Sequence, residues 1–178
     1  VQASLVALDA EIAAYAAAAV RGQTTVAGAA MVFCRHIHED FSYDPKATDV
    51  RTPPRQAFRL RRGVCQDFSH VMISGLRSLG IPAGYVSGYL RTIPPPGRER
   101  LEGADAMHAW VKVWCGAGAG WLEFDPTNAI AAGNDHIAVG YGRDYSDVAP
   151  IIGVLRTIGS QEAKHSVDVI PVADPWGQ

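Results

Sequence analysis

Gly63-Val64-Cys65-Gln66-Asp67-Phe68-Ser69-His70 is where a loop gives way to a helical pattern that continues through Met72 and Leu76 to Leu79 and stops at Gly80 and Pro82. A helix is therefore predicted over about residues 65–79, with a cysteine at its first position. A helix N-terminus carries partial positive charge and several unpaired N–H groups. That favours a thiolate, the nucleophilic form of cysteine, and the same N–H groups can bind an oxyanion. A buried structural cysteine is the competing reading, since free cysteines are among the most buried residues. Taken alone, either reading stands. At about 100° per residue, Phe68, Ser69, Met72, Leu76 and Leu79 fall on the side of Cys65, and Asp67, His70, Ser74 and Arg77 on the other. The cysteine face is then the core face. His70 points away from the thiol and reads as a partly buried histidine paired with a loop group, and Asp67 as a cap of its own helix.

Upstream the chain is helical. Leu5, Leu8, Ile12, Tyr15 and Ala19 recur at helical spacing, predicting a helix over about residues 4–20. Thr24 or Thr25 caps a second, with the stripe Val26, Ala30, Phe33, Ile37 and Phe41. Residues 42–52 read as a loop, and Thr52-Pro53-Pro54 starts a short helix ending near Leu60. Downstream the period becomes two. Tyr85–Leu90, Met107–Cys115 and Trp121–Phe124 read as strands, followed by segments near 137–141, 151–157 and 167–172. Helices first and strands after argue for an α+β fold with an antiparallel sheet. The aperiodic stretch 92–105, with Pro94-Pro95-Pro96, reads as a long exposed loop, expected to gate the cleft, with a tolerated surface insertion as the equal alternative.

A base for the cysteine must come from the strands. Alternation puts His108, Trp110, Lys112 and Trp114 on one face. The next strand ends in Glu123-Phe124-Asp125-Pro126-Thr127, and Gly116-Ala117-Gly118-Ala119-Gly120 suits a hairpin between the two. With a loop of two or four residues, opposed residues sum to 233 or 235. His108 and Asp125 then share a face, opposite or diagonal, within reach of each other. An aspartate there fixes the imidazole tautomer and stabilises the imidazolium. A sheet histidine and a turn aspartate are the plain alternatives.

Gly63-Val64-Cys65-Gln66-Asp67-Phe68, Leu79-Gly80-Ile81-Pro82-Ala83, Val86-Ser87-Gly88-Tyr89, His108-Ala109-Trp110-Val111, Phe124-Asp125-Pro126-Thr127-Asn128 and Gly142-Arg143-Asp144-Tyr145-Ser146-Asp147-Val148-Ala149-Pro150 together resemble the bacterial transglutaminase-like family, described as candidate cysteine proteases. The resemblance runs from about Thr25 to about Val172, and implies a papain-like core in which a nucleophile helix packs on an antiparallel sheet bearing a histidine and an aspartate. It carries over Cys65, His108 and Asp125 as the catalytic residues. Members usually have Arg where this chain has Gly84 and a small residue where it has Met107. They also usually have a β-rich domain upstream, so the expectation is one transglutaminase-like domain over 1–178, with its core at about 25–172, in a fragment lacking that domain. Papain-like enzymes place an oxyanion-hole glutamine before the cysteine. Gln56 is the nearest upstream, beside the backbone N–H of Cys65 itself. Tyr89 and Trp110 are candidate cleft residues, although aromatics on a sheet are more often core.

The 178 residues make one ordinary domain. With 48% hydrophobic and 19% charged residues the chain is neither disordered nor collagen-like. No run of 18 apolar residues occurs, so no membrane span is expected. A net charge of −2, with Arg clustered only at Arg59, Arg61 and Arg62, lacks a nucleic-acid footprint. Three cysteines, an odd count, suit a reducing compartment and a cytoplasmic location. Cys34 and Cys115 read as inert. No cysteine or histidine pair has zinc-ligand spacing, and neither a metal nor a cofactor is expected. Asn134-Asp135-His136 could hold a second site, but a turn entering a strand explains it. The expected function is thiol-dependent hydrolysis of, or acyl transfer from, a peptide or protein amide through a thioester. Hydrolysis is favoured because nothing marks a site for an amine. The alternative is a non-catalytic protein- or peptide-binding module with the same fold. Oligomeric state is not legible.

Overall fold

Pro54 at the start of a helix and glycine or proline after each apolar run divide the chain as its sequence suggests. The computed structural model describes residues 4–93, 97, 105–150 and 166–172. Helices α1 (Ala10–Ala19), α2 (Val26–Asp40), α3 (Pro54–Leu60) and α4 (Cys65–Ser78) precede strands β3 (Ala83–Leu90), β4 (Ala106–Trp114), β5 (Trp121–Asp125), β6 (Ile130–Ala131) and β7 (His136–Gly142), and a short α5 (Tyr145–Val148). Two-residue strands β1 (Ser42–Tyr43) and β2 (Arg62–Gly63) pair in parallel, so the expected 42–52 loop begins with a strand that ties the end of α2 to the entrance of α4.

Side-chain caps set the helix starts. Asp9 accepts from the N–H groups of Glu11 and Ile12, so α1 begins at Ala10 and not near residue 4. Thr25 Oγ1 accepts from Gly28 N at 3.1 Å, settling the cap of α2. Asp67 Oδ2 accepts from Val64 N at 2.8 Å and from Thr48 Oγ1 at 2.6 Å. A Cβ at position 63 would lie 2.4 Å from that oxygen, so only glycine lets the capping carboxylate reach back.

The two-faced reading of α4 is corrected by its surroundings. Every residue from Gln66 to Leu76 is buried, because α1, α2 and α3 cover the side that the sheet does not. The polar residues on that side are satisfied locally: Ser74 Oγ donates to Ala7 O at 2.8 Å, and Tyr145 N donates to His70 Nε2 at 3.2 Å. Gly75 permits the crossing, since a Cβ there would lie 2.6 Å from the Phe33 ring and 2.9 Å from Ala16 Cβ.

The sheet order is β6-β5-β4-β3-β7, antiparallel throughout. Ala109, Val111, Val113 and Phe124 face α4 and join Phe68, Val71, Met72 and Leu76 in the core. Alternation then turns His108, Trp110 and Lys112 to the opposite face. Residues 166–172 form no strand. Asp105 holds them instead, its N–H donating to Val167 O and its carboxylate accepting from Val169 N; those two bonds stand where a ladder was expected. The strand expected at 151–157 and most of the expected gating loop, 94–96 and 98–104, lie outside the described residues. Among the described residues no helix is long and apolar enough to cross a membrane.

Candidate active site

Cys65 is the first residue of α4, half-buried, at the wall of a cleft of about 210 Å³ shared with Val64, Gln66, Tyr85, Met107 and His108. Burial and then the negative charge of Cys65 push up the hydroxyl pKa values of Tyr43 and Tyr85. The thiol shares its cleft with the Tyr85 phenol and the His108 imidazole.

The hairpin register decides the histidine's partner. Lys112 pairs with Glu123 and Val111 with Phe124, and Cys115 N donates to Gly120 O at 2.8 Å. Opposed residues thus sum to 235 around a loop of four. Asp125 comes opposite Trp110, one diagonal step from His108, on the same face. His108 Nε2 lies 2.7 Å from Asp125 Oδ2. This leaves Nδ1 of His108 unused by Asp125, in a ring that lines the same cleft as Cys65.

Asp125 is fully buried. Its Oδ1 accepts from the N–H groups of Thr127 at 2.9 Å and Asn128 at 3.2 Å, the geometry of a turn aspartate. Its Oδ2 accepts from Asn128 Nδ2 at 2.7 Å and meets His136 Nε2 at 3.1 Å as well as His108. The turn role and the histidine role are thus both filled, one by each oxygen. Burial alone raises the Asp125 pKa, but the hydrogen bonds from His108 and His136 outweigh it and hold the carboxyl well below the usual carboxylate range. Burial likewise lowers the His108 pKa, and the hydrogen bonds to Asp125 and Cys65 with their charges reverse this, carrying it to about 9. The imidazolium is the stable form at neutral pH. A cationic ring between a carboxylate and a thiol is suited to holding a thiolate and to returning a proton.

The remaining sequence candidates fall elsewhere. Gln56 is exposed on α3, and Gln66, next to the cysteine, lines the cleft with Nε2 donating to Val50 O at 3.1 Å. Tyr89 lines a neighbouring cleft of about 380 Å³ that shares Ser87 and Met107 with the first. Trp110 is fully buried behind His108, its Nε1 donating to Glu123 Oε2 at 2.6 Å. Cys34 is fully buried and its thiol is pushed up to about 12 by burial and then by the Asp125 charge. Cys115 is half-buried and its pKa is also raised by burial. His70, 1% exposed, is pushed down to about 4 by burial.

His136, noted in the sequence only as part of a turn or a second site, joins Asp125 instead, and the side chain of Asn128 was not singled out. Strands β5 and β7 are separated by β4 and β3 in the sheet, so no pairing rule connects Asp125 with His136. Asn128 had a signal, its place two residues after Pro126 in the turn that Asp125 caps. Among the described residues, His108, Asp125 and His136 also form a group whose ligand atoms lie within 4.8 Å of one another.

Comparison with known proteins places this geometry in a group. The pattern described as the transglutaminase-like superfamily matches residues 13–126. An uncharacterized protein of Mycobacterium tuberculosis is 45% identical over 139 residues, 76% of this chain and 44% of its own length. One of Mycobacterium leprae is 38% identical over 148 residues, 82% of this chain and 50% of its own. The chain thus spans about half the length of these relatives or less. Among solved structures, a candidate cysteine protease from Cytophaga hutchinsonii superposes with a TM-score of 0.65 at 25% identity, over 82% of this chain and 48% of that one. The periplasmic domain of TgpA from Pseudomonas aeruginosa gives 0.52 at 24% identity, over 72% and 45%, and shares the fold. With nearly two thirds of its residues inside the family pattern, and its helices and antiparallel sheet arranged as in these structures, the chain belongs to the transglutaminase-like superfamily.

Proposed function

We propose that this domain is a cysteine-dependent amide or peptide hydrolase, with acyl transfer to an amine as the variant outcome of the same chemistry. The observation that carries the reading is the Asp125–His108 pair held against the side chain of a cysteine that begins a helix, in one cleft. The likeness to a candidate cysteine protease supports it.

In this mechanism the Cys65 sulfur, its proton on His108 Nδ1, attacks the carbonyl carbon of a peptide or protein amide. The C=O π pair moves to oxygen, and the oxyanion is received by the free backbone N–H of Cys65. Collapse breaks the C–N bond as His108 gives its proton to the leaving amine. Water, deprotonated by His108, then attacks the thioester and releases acid and thiol; an amine in its place gives transfer. Asp125 stays ionised and keeps Nε2–H of His108 directed away from sulfur. Water is favoured as the resolving nucleophile because the cleft opens to solvent and, among the described residues, no acidic group that would hold an amine lines it.

The test uses short peptide p-nitrophenyl esters and anilides with mass analysis of acid-quenched protein. An acyl adduct on Cys65, and turnover lost in Cys65→Ala and cut by about 100-fold or more in His108→Ala, are expected. Turnover surviving Cys65→Ala, or no adduct on Cys65 from the ester, overturns the reading. Adding a primary amine and weighing the product separates hydrolysis from transfer.

A further inference from the structure

His136 reaches Asp125 from the far edge of the sheet. Its side chain is 3% exposed, with Nε2 3.1 Å from Asp125 Oδ2. Its other nitrogen decides its protonation. Nδ1 accepts the backbone N–H of Gly133 at 3.3 Å, so Nδ1 carries a lone pair and the ring proton sits on Nε2, directed at the carboxylate. The ring is a donor in its neutral form. Trp110 meets it edge-on at 5.1 Å between centroids, which restricts its rotation. The nearest ion pair, Arg91 with Asp135 at 3.0 Å, is half-exposed at the residue before it.

The same three side chains could also read as a metal site, since their ligand atoms lie within 4.8 Å. The tautomer argues for the hydrogen-bonding role. A metal on His136 Nε2 would move the ring proton to Nδ1, where it would face the N–H of Gly133, two donors head to head.

Asp125 Oδ1 is bound by two backbone N–H groups, and Oδ2 by His108, His136 and Asn128. His136 and Asn128 approach Oδ2 from side chains anchored independently of β4, which carries His108. We propose that His136 is a positioning residue whose neutral Nε2–H pins Asp125 Oδ2, so that the carboxylate holds His108 with Nδ1 turned to Cys65. Its significance rests on the cysteine-hydrolase reading; its geometry does not.

The test compares His136→Phe, which removes the donor, with His136→Gln, whose side-chain amide can donate to the same oxygen, in protein labelled with 15N-histidine. In the wild type the His136 ring should carry its proton on Nε2 at neutral pH. In His136→Phe the titration midpoint of His108 should fall, and Cys65 alkylation by iodoacetamide at pH 6–7 should slow about tenfold, the size of effect that orienting partners produce. In His136→Gln both should return to within about threefold of wild type. A His108 midpoint unchanged or raised in His136→Phe shows that His136 only competes for the carboxylate's charge, and overturns the proposal. So does a wild-type His136 protonated on Nδ1, which needs no variant to fold. His108→Ala separates the two readings: if it leaves Cys65 alkylation unaltered, the hydrolase reading fails while the NMR result still decides the role of His136.

Discussion

Thiol reactivity should divide the three cysteines sharply, and the division can be worked out for Cys34. Burial moves its pKa from an ordinary 9.0 to about 12. At pH 7.5 its thiolate fraction is then about 1000-fold below that of an ordinary thiol. A more basic thiolate is intrinsically the better nucleophile, with a Brønsted slope of about 0.4–0.5, which restores a factor of about 20. Protonation alone leaves Cys34 about 50-fold slow. It is also fully buried in the core under α2, and reagent reaches it only through a local opening of about 4 kcal/mol, which restores an ordinary pKa but slows the reaction by about 1000-fold in place of the 50-fold. Cys65 borders an open cleft beside His108 and needs no opening of the core to be reached. A time course with iodoacetamide at pH 7.5, read by peptide mass spectrometry, should label Cys65 first and Cys34 about 1000-fold more slowly. His108→Ala should slow Cys65 alone, and labelling in strong urea should bring all three cysteines to similar rates. A native-state Cys34 rate within tenfold of that of Cys65 would refute the burial argument, and an unaltered Cys65 rate in His108→Ala would remove the imidazole from its role.

Acid should destabilise the fold through His70: its folded pKa, about 4, lies below the unfolded 6.5, so its contribution is complete above pH 6.5 and lost as pH falls through 4, about 3 kcal/mol by pH 4. His70→Gln, which keeps an acceptor for Tyr145 N–H, should flatten that dependence in urea melts from pH 4 to 7; parallel wild-type and variant slopes would contradict it. Asp125→Asn places an NH₂ group among five donors and should lower stability by about 3 kcal/mol while bringing the His108 midpoint down from about 9, both readable by urea unfolding and NMR; wild-type stability would show that the donors are not committed to the carboxylate. Gly75→Ala drives a methyl against the Phe33 ring and should lower stability by about 1–3 kcal/mol, measured by thermal or urea unfolding, and a neutral effect would mean that the α1–α2–α4 crossing is looser than described.

Cys65, His108 and Asp125 were legible because each rests on a short-range rule. A cysteine after a glycine at the start of an apolar run, a period of two through His108, and a glycine-rich turn of fixed parity suffice to bring the latter two to one face. The packing around α4 was not legible, because a helical wheel sorts residues by polarity and cannot see that Thr48 will meet Asp67, that Tyr85 and Tyr145 will meet His70, and that Ala7 will meet Ser74. The polar atoms of Asp67, His70 and Ser74 are paid for by Thr48, Tyr145 N–H and Ala7 O, partners scattered along the sequence. His136 was read as part of a turn because its partner lies across the sheet. Alternation in 167–172 suggested a strand, but a strand needs a neighbouring edge, and Asp105 supplies only local anchors.

The enclosure of α4 has a consequence for how the protein fails. Hydrogen exchange tracks the least costly opening that frees an amide, and the amides of Val71–Leu76 have protein on every side. They should exchange only when the whole domain opens. Cys65 therefore stands at the tip of the last element to come apart. Heat should abolish the site and the fold in one step, with little room for a softened intermediate that is folded but inactive. Under the proposed function, variation in substrate has to be carried by the strand ends and connections around the cleft, since the helix that holds the sulfur is buried from Gln66 to Leu76.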